Sequence, residues 1–136
     1  MREDVGIILL NKEDKILLQL RENSPDIEYP DHWVLFGGGI EEGERPEDAL
    51  KRELLEEIEL KLDRFRFLGN YHYKCQRKQH IFFSRYDLDV NKVKLHEGSG
   101  LRYFSKDELD EIRLGFNMRE VLRDFFTKLK NGKIRA

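Results

Sequence analysis

The stretch GGIEEGERPEDALKRELLEEIEL, which runs from Gly38 to Leu60, decides how the rest of the chain can be interpreted. Its glycine run is followed by Pro46, which suits the first position of a helix, and then by a segment rich in glutamate. At 100° per residue, the apolar side chains of that segment form one stripe: Leu50, Leu54, Leu55 and Ile58. The pattern predicts an amphipathic helix that packs this stripe against a core.

Three glutamates of the same segment, Glu53, Glu56 and Glu57, lie together on a different arc of the predicted helix. Glu53 and Glu57 are like charges four positions apart, which costs a helix about 0.2–0.5 kcal/mol. They also lie in its C-terminal half, where the helix dipole favours cations. Carboxylate oxygens are the ligands that hard divalent cations prefer. We therefore interpret this face as a metal site rather than as a solvated acidic surface.

The order and spacing of these residues resemble the Nudix box, G-x5-E-x7-R-E-U-x-E-E-x-G-U, in which U is aliphatic. Eight of its nine defined positions are met over 23 residues, among them Gly38, Glu44 and Arg52. The departure is Glu59, which stands where the family has glycine, near a helix end at which a left-handed backbone is easiest for glycine. The replacement removes no acidic residue, and it allows the predicted helix to continue for another turn.

The resemblance covers nearly the whole chain and implies an α/β fold, the Nudix α/β/α sandwich, with a mixed β-sheet between helices. We expect residues 1–136 to form a single domain. Apolar and alternating runs predict its strands: residues 5–10, 15–20, 33–36, 62–68, 70–75, 80–88 and 101–104. Residues 22–32 read as a long loop, and two later helices are predicted from capping residues at Ser105 and Asn117.

The resemblance also implies a metal shell. In Nudix proteins the residues that match Gly38, Glu53, Glu56 and Glu57 hold a divalent cation, the glycine through its carbonyl oxygen. The expected cation is Mg²⁺, with Mn²⁺ as an alternative. Arg52 would orient one of the carboxylates through a charge-assisted hydrogen bond.

Two residues outside the box are candidates for the same site. Glu97 is a loop acid that shortly precedes an aromatic strand. It is either fully solvated or, as the resemblance implies, completes the metal shell or acts as the base. Arg21 ends the second predicted strand and is either an ordinary strand-end charge or a contact to substrate phosphate. The general base is one of the box glutamates or Glu97, and the sequence leaves that choice open.

A function follows from the metal. A divalent cation reverses the sign of the acidic face and polarises a phosphoryl oxygen. The resemblance therefore implies hydrolysis of the pyrophosphate bond in a nucleoside diphosphate linked to another moiety, such as an NTP, a nucleotide sugar or ADP-ribose. The alternative is a catalytically silent Nudix module that senses a nucleotide. The intact glutamates favour the enzyme, because a pure sensor has no need of them.

The amino-acid composition limits the kinds of partner and environment that we expect for the chain. The chain has 25 basic and 27 acidic residues, a net charge of −2, which argues against nucleic-acid binding. The apolar run Val5 to Leu10 is too short to cross a membrane. A single cysteine, Cys75, excludes an internal disulfide and predicts a reducing compartment, the cytoplasm. We interpret it as a packed thiol and not as a zinc ligand with His72 and His80, because Cys75 and His72 would point to opposite faces of a strand. Whether two chains form a homodimer stays open.

Overall fold

The computed structural model describes residues 2–74 and 76–136, so Cys75, interpreted above as a packed thiol, lies outside the described residues. The strands are β1 Arg2–Leu10, β2 Ile16–Leu20, β3 Trp33–Val34, β4 Phe36–Gly39, β5 Arg66–Tyr73, β6 Arg77–Arg85 and β7 Gly100–Phe104. The helices are α1 Pro46–Ile58 and α2 Met118–Lys130, with a short 3-10 helix at Glu108–Glu111.

The predicted mixed sheet is confirmed. Strand β1 runs parallel to β6 from the pair Arg2–Arg77 to the pair Leu10–Arg85, and every other strand pairing is antiparallel. The strand order is β3-β2-β1-β6-β5, with β4 beside β1 and β7 beside β2. Strand β1 is therefore central, and it reads as a nearly continuous apolar run because both of its faces are buried.

The two faces of the sheet carry separate cores, which confirms the α/β/α arrangement. Alternate residues of β1, such as Ile8 and Leu10, pack with the apolar stripe of α2. Ile7 and Leu9 point the other way and pack with α1. The packed residues of α2 are Met118, Val121, Leu122 and Phe125, and those of α1 are Ala49, Leu50, Leu54 and Ile58.

Helix α1 begins at Pro46, as predicted, but two expectations about its other residues were wrong. Leu55 is 50% exposed and does not belong to the packed stripe, because the core closes around Leu50, Leu54 and Ile58. The helix also does not continue past Ile58. Glu59 takes the left-handed conformation that glycine would take, with φ 54° and ψ 33°, and its N–H donates to the carbonyl of Leu55.

The predicted strands at 62–68 and 70–75 form one strand, β5, which starts only at Arg66. Its pairing with β6 shifts between Phe67 and Gly69, so a bulge interrupts the alternation that sequence reasoning used. Strand β6 begins at Arg77, three residues before the predicted start, and the hairpin between the two strands is confirmed.

The two predicted caps have different outcomes. Ser105 and Glu108 exchange reciprocal hydrogen bonds of 2.9 and 3.2 Å, which confirms the capping box, although it opens a 3-10 helix and not an α-helix. Asn117 makes no side-chain cap at the start of α2. Its amide is instead paired with the amide of Gln79 on β6, at 2.6 and 2.9 Å. The predicted side-chain cap was therefore wrong, although the predicted helix is confirmed and begins directly after Asn117.

Among the described residues, no helix combines the length and the apolar character that crossing a membrane requires.

Candidate metal centre

Three carboxylates converge where the C-terminal half of α1 meets the loop before β7. One oxygen of each of Glu53, Glu57 and Glu97 lies within 4.8 Å of the others. The first two come from one face of α1, because residues four apart stack on a helix. The third comes from a segment about forty residues later in the chain. The structure thus brings together three of the residues that the sequence singled out.

Glu57 is the most buried of the three, at 1% exposure. One of its carboxylate oxygens accepts from the Gln19 side-chain amide at 2.9 Å, and the other accepts from the Gly37 N–H at 3.1 Å. Burial, followed by the nearby charge of Glu97, raises the pKa of Glu57 to about 9 despite these donors. The centre therefore has a carboxylate that needs a cation to be ionised at neutral pH.

Glu53 is held by Arg52, as predicted. The Arg52 guanidinium donates to Glu53 at 3.0 Å, to both oxygens of Glu44 at 2.8 and 2.9 Å, and to the Gly39 carbonyl at 3.0 Å. The bond from Arg52 lowers the pKa of Glu44 to about 2. Burial nevertheless raises the pKa of Glu53, so the effect of Arg52 on Glu53 does not compensate for its desolvation.

Glu56 lies apart from the other three acids. Its side chain is 59% exposed, and its nearest cationic partner is Arg52 at 3.4 Å. Helical periodicity placed Glu56 on the same arc as Glu53 and Glu57. Only Glu53 and Glu57 lie on the buried side of that arc, whereas the side chain of Glu56 lies on the solvent side. The predicted role of Glu56 as a ligand stays a prediction, because a rotation of its exposed side chain is needed to bring it to the cluster.

The glycine run of β4 lies directly against the carboxylates. A Cβ on Gly38 would lie 2.6 Å from the Glu53 carboxylate, a distance that real Cβ atoms do not tolerate. Glycine at position 38 therefore leaves the space that the Glu53 carboxylate occupies. The predicted role of its carbonyl as a ligand stays a prediction.

The loop that carries Glu97 is attached on both sides of that residue. His96 donates its backbone N–H to the Glu57 carbonyl at 2.8 Å, and Ser99 donates its backbone N–H to the Leu20 carbonyl at 2.8 Å. Glu97 itself is exposed, unlike Glu57. It is the member of the cluster that solvent reaches most easily.

A cavity of about 440 Å³ opens beside the cluster, and its lining includes Gly38, Glu53 and Glu97. Its other walls carry Arg21 and Arg77 among apolar residues such as Phe116. Arg21 donates to the Glu28 carbonyl at 2.8 Å, and its guanidinium lies 5.2 Å from the centre of the Phe116 ring. Its predicted contact with substrate phosphate stays a prediction. The loop at residues 22–32 is confirmed and borders the same cavity.

Sequence reasoning missed Gln19, whose amide donates to Glu57. Gln19 is 6% exposed and is the one polar residue of β2, ILLQL. A polar residue within such an apolar strand is a usable signal, because buried polar groups require a partner. It would have pointed to a site on that face, although not to Glu57 in particular.

The donor set fits a hard divalent cation. Three carboxylates offer oxygens within one coordination shell's reach, and the cavity beside them leaves space for water and substrate oxygens. The group has no softer nitrogen or sulfur donor among its three members. An all-oxygen donor set of this kind is typical of magnesium, manganese and calcium sites, whereas zinc and copper sites usually include nitrogen or sulfur ligands.

Comparison with known proteins agrees with this geometry. The family model for the NUDIX domain matches residues 1–125, so the chain belongs to that family. The solution structure of the E. coli ORF135 protein has the same fold, with a TM-score of 0.80 and 23% identity, over 100% of this chain and 95% of that one.

Two relatives indicate the chemistry found in similar sequences. A diphosphoinositol polyphosphate phosphohydrolase 3-beta from Bos taurus is 35% identical over 82 residues, which are 60% of this chain and 46% of that protein. An RNA pyrophosphohydrolase from Pseudomonas putida (strain GB-1) is 38% identical over 127 residues, which are 93% of this chain and 70% of that protein. The chain spans less than half the length of several relatives that it matches.

Proposed function

We propose that the chain is a divalent-metal-dependent pyrophosphohydrolase that cleaves a phosphoanhydride bond in a nucleoside diphosphate linked to another moiety. The observation that carries this proposal is the convergence of Glu53, Glu57 and Glu97 within 4.8 Å beside a cavity. Family membership and the names of the relatives support the same class of reaction.

We assign the cation to Mg²⁺, with Mn²⁺ as the alternative. The residues that would hold it are Glu53, Glu57 and Glu97, with Glu56 after a side-chain rotation and with the carbonyl oxygen of Gly38. When bound, the cation supplies charge neutralisation and Lewis-acid polarisation of a phosphoryl oxygen.

The residues of the chain then have distinct tasks. Arg52 fixes the carboxylate of Glu53, and Gln19 fixes that of Glu57, so both are oriented before the cation binds. Arg21 lines the cavity and is a donor for an anionic part of the substrate. Both oxygens of Glu57 are already hydrogen-bonded, whereas Glu97 is exposed to the cavity. We therefore assign the role of general base to a carboxylate oxygen of Glu97.

The relatives named above act on quite different phosphoanhydrides, so the group beyond the diphosphate has to be found by assay. The rival proposal is a Nudix module that binds a nucleotide without cleaving it. Three converging carboxylates favour the enzyme, because a module that only binds the nucleotide has no need of a preassembled set of acidic ligands for a catalytic cation.

The test is a panel of NTPs, 8-oxo-dGTP, ADP-ribose, nucleotide sugars and 5′-triphosphorylated RNA, incubated with Mg²⁺ or Mn²⁺. We expect release of phosphate, pyrophosphate or a nucleoside monophosphate from at least one class, and loss of that release with a chelator. Glu53→Gln should lower kcat by at least about a hundredfold, whereas Glu42→Gln, in the exposed turn before α1, should not change it. A substrate that stabilises the protein without yielding any product would refute the enzyme and support the sensor.

A further inference from the structure

Glu59 adopts a backbone conformation that is unfavourable for a residue with a side chain. Its φ of 54° and ψ of 33° lie in the left-handed region, where glycine is easiest to accommodate. It is also the position at which the chain departs from the Nudix box. The glutamate side chain is not needed to end the helix, because the backbone N–H bonds at the end of α1 would be the same with glycine.

The side chain of Glu59 makes a contact that glycine could not make. Its carboxylate lies 2.5 Å from Nε2 of His96, and both side chains are about half exposed. The backbone N–H of His96 donates to the Glu57 carbonyl, one of the last carbonyls of α1. His96 is therefore attached to the end of α1 twice, once through its backbone and once through its ring.

The residue after His96 is Glu97, and the chain is fixed again just beyond it. Gly98 has φ of 81°, and a Cβ there would lie 2.7 Å from the Leu20 carbonyl. Ser99 donates its backbone N–H to that same carbonyl. Glu97 thus stands between an attachment to α1 and an attachment to the end of β2.

From these contacts we propose that Glu59 and His96 are positioning residues, a clamp that holds Glu97 beside Glu53 and Glu57 before a cation binds. The inference rests on the proposed function, because it concerns the same metal site. Its physical basis is the conformational freedom of a loop: an exposed loop side chain would sample many positions away from Glu53 and Glu57 unless its backbone were fixed. Fixing the loop in advance lowers the free energy that cation binding would otherwise spend on ordering it.

The first measurement is the Kd for Mn²⁺ without substrate, from the electron paramagnetic resonance signal of the free ion. Glu59→Gly should raise this Kd about three- to fivefold, the upper part of the range expected for loss of one exposed side-chain contact. Glu59→Gln keeps one acceptor for His96 and should have an intermediate effect. The matched control is Asp14→Gly in the β1–β2 turn, which also removes a left-handed non-glycine residue and an exposed ion pair, that with Arg85 at 2.9 Å. It should leave the Kd unchanged.

The second measurement asks whether the effect passes through Glu97. In a Glu97→Gln background, Glu59→Gly should have no further effect on the Kd, because the group that the clamp positions has lost its charge. An equal effect in both backgrounds would overturn the proposal. So would the finding that Glu59→Gly alone, with Glu97 intact, does not change the Kd for Mn²⁺.

The third measurement separates the clamp from the proposed function. Amide exchange at His96, followed by NMR in the metal-free protein, should become faster in Glu59→Gly and not in Asp14→Gly. Unchanged exchange at His96 would overturn the clamp even if Mn²⁺ binds normally. Absence of Mn²⁺ binding in the unmutated chain, with His96 exchange still dependent on Glu59, would instead overturn the proposed function and, with it, the role of the clamp in a metal site.

Discussion

Replacing Glu57 by glutamine should stabilise the metal-free protein near neutral pH and, at the same time, remove metal binding and turnover. Glu57 is 1% exposed, and burial together with the charge of Glu97 raises its pKa to about 9. Glutamine has nearly the same volume and no charge. The variant therefore avoids the free-energy cost of keeping a proton on a buried carboxyl group at a pH where the unfolded chain releases it.

The magnitude follows from the pKa of about 9 in the folded state and the ordinary value of 4.5. At pH 7 the cost is about 1.4 kcal/mol for each of roughly 2.5 pH units, or about 3.5 kcal/mol. Gln19 must rotate its amide to accept from the introduced amide, for which we subtract about 1 kcal/mol. The net gain of about 2.5 kcal/mol corresponds to a Tm higher by about 10 °C for a chain of this length.

The sign of the pH dependence is a further constraint. Because the folded pKa of Glu57 is raised, the folded state binds more protons than the unfolded state between pH 4.5 and about 9. Below pH 4.5 the protein therefore loses no stability through Glu57, because the group is protonated in both states. As the pH rises from 4.5 toward 9, the free energy of unfolding falls progressively. The difference between the variant and the unmutated chain should therefore be near zero at pH 5 and grow at pH 7 and pH 8.

The assay is thermal and urea unfolding at pH 5, 7 and 8 in the presence of a chelator, and again in saturating Mg²⁺ or Mn²⁺. Metal at 1,000 times its Kd should stabilise the unmutated chain by about 4.1 kcal/mol, so the order of stability reverses. Glu42→Gln controls for loss of an exposed carboxylate. If Glu57→Gln is less stable than the unmutated chain in chelator at pH 8, or is stabilised equally by metal, the reasoning about this buried carboxylate is wrong.

Two further predictions use matched variants. Gly38→Ala should raise the Kd for Mn²⁺ by about 10- to 100-fold, because its Cβ would displace the Glu53 carboxylate, whereas Gly39→Ala has no neighbour closer than 3.8 Å and should leave the Kd unchanged. Arg52→Lys should raise the same Kd about tenfold, because an ammonium cannot hold three partners in the geometry of a guanidinium. Its control is Arg45→Lys, because the side chain of Arg45 is 74% exposed where it pairs with Glu47. Titration calorimetry measures all four, and equal effects of a variant and its control would contradict the structural explanation.

The parts of the fold that could be predicted from the sequence are those with a clear apolar pattern. The apolar residues of α1 and α2 recur at helical spacing, so the type of each element and, apart from Leu55, its buried face followed directly. The short continuous apolar run of β1 indicated a strand. Strand β5 was predicted in two pieces because a bulge between Phe67 and Gly69 breaks its alternation, and an isolated glycine in such a pattern can mark either a bulge or a turn.

Tertiary contacts explain the other differences. Asn117 has the residue type of a helix cap, but Gln79 lies close enough to take its amide. Leu55 fits the helical stripe, yet it lies beyond the margin of the sheet-facing core and remains exposed. Rules based on local sequence consider only a residue and its neighbours along the chain. The pairing of Asn117 and the exposure of Leu55 also depend on residues that are distant in sequence.

In the candidate site, too, local spacing predicted some features, and tertiary contacts decided the others. Spacing on one helix was sufficient to place Glu53 and Glu57 together. It could not decide whether Glu97 joins them, because that depends on where the loop after β6 crosses the end of α1. It also could not show that Glu56 turns outward toward Arg52, since a side-chain direction is set by packing and not by period.

The parallel pairing of β1 with β6 also bears on how the chain is made. The partner of Arg2 is Arg77, which leaves the ribosome about 4 to 15 s later at ordinary elongation rates. During that interval the apolar central strand β1 lacks the neighbour that pairs with its whole length. We expect the nascent segment from Val5 to Leu10 to be a target for chaperones, and destabilising changes in β6 to reduce the yield of protein through aggregation during synthesis.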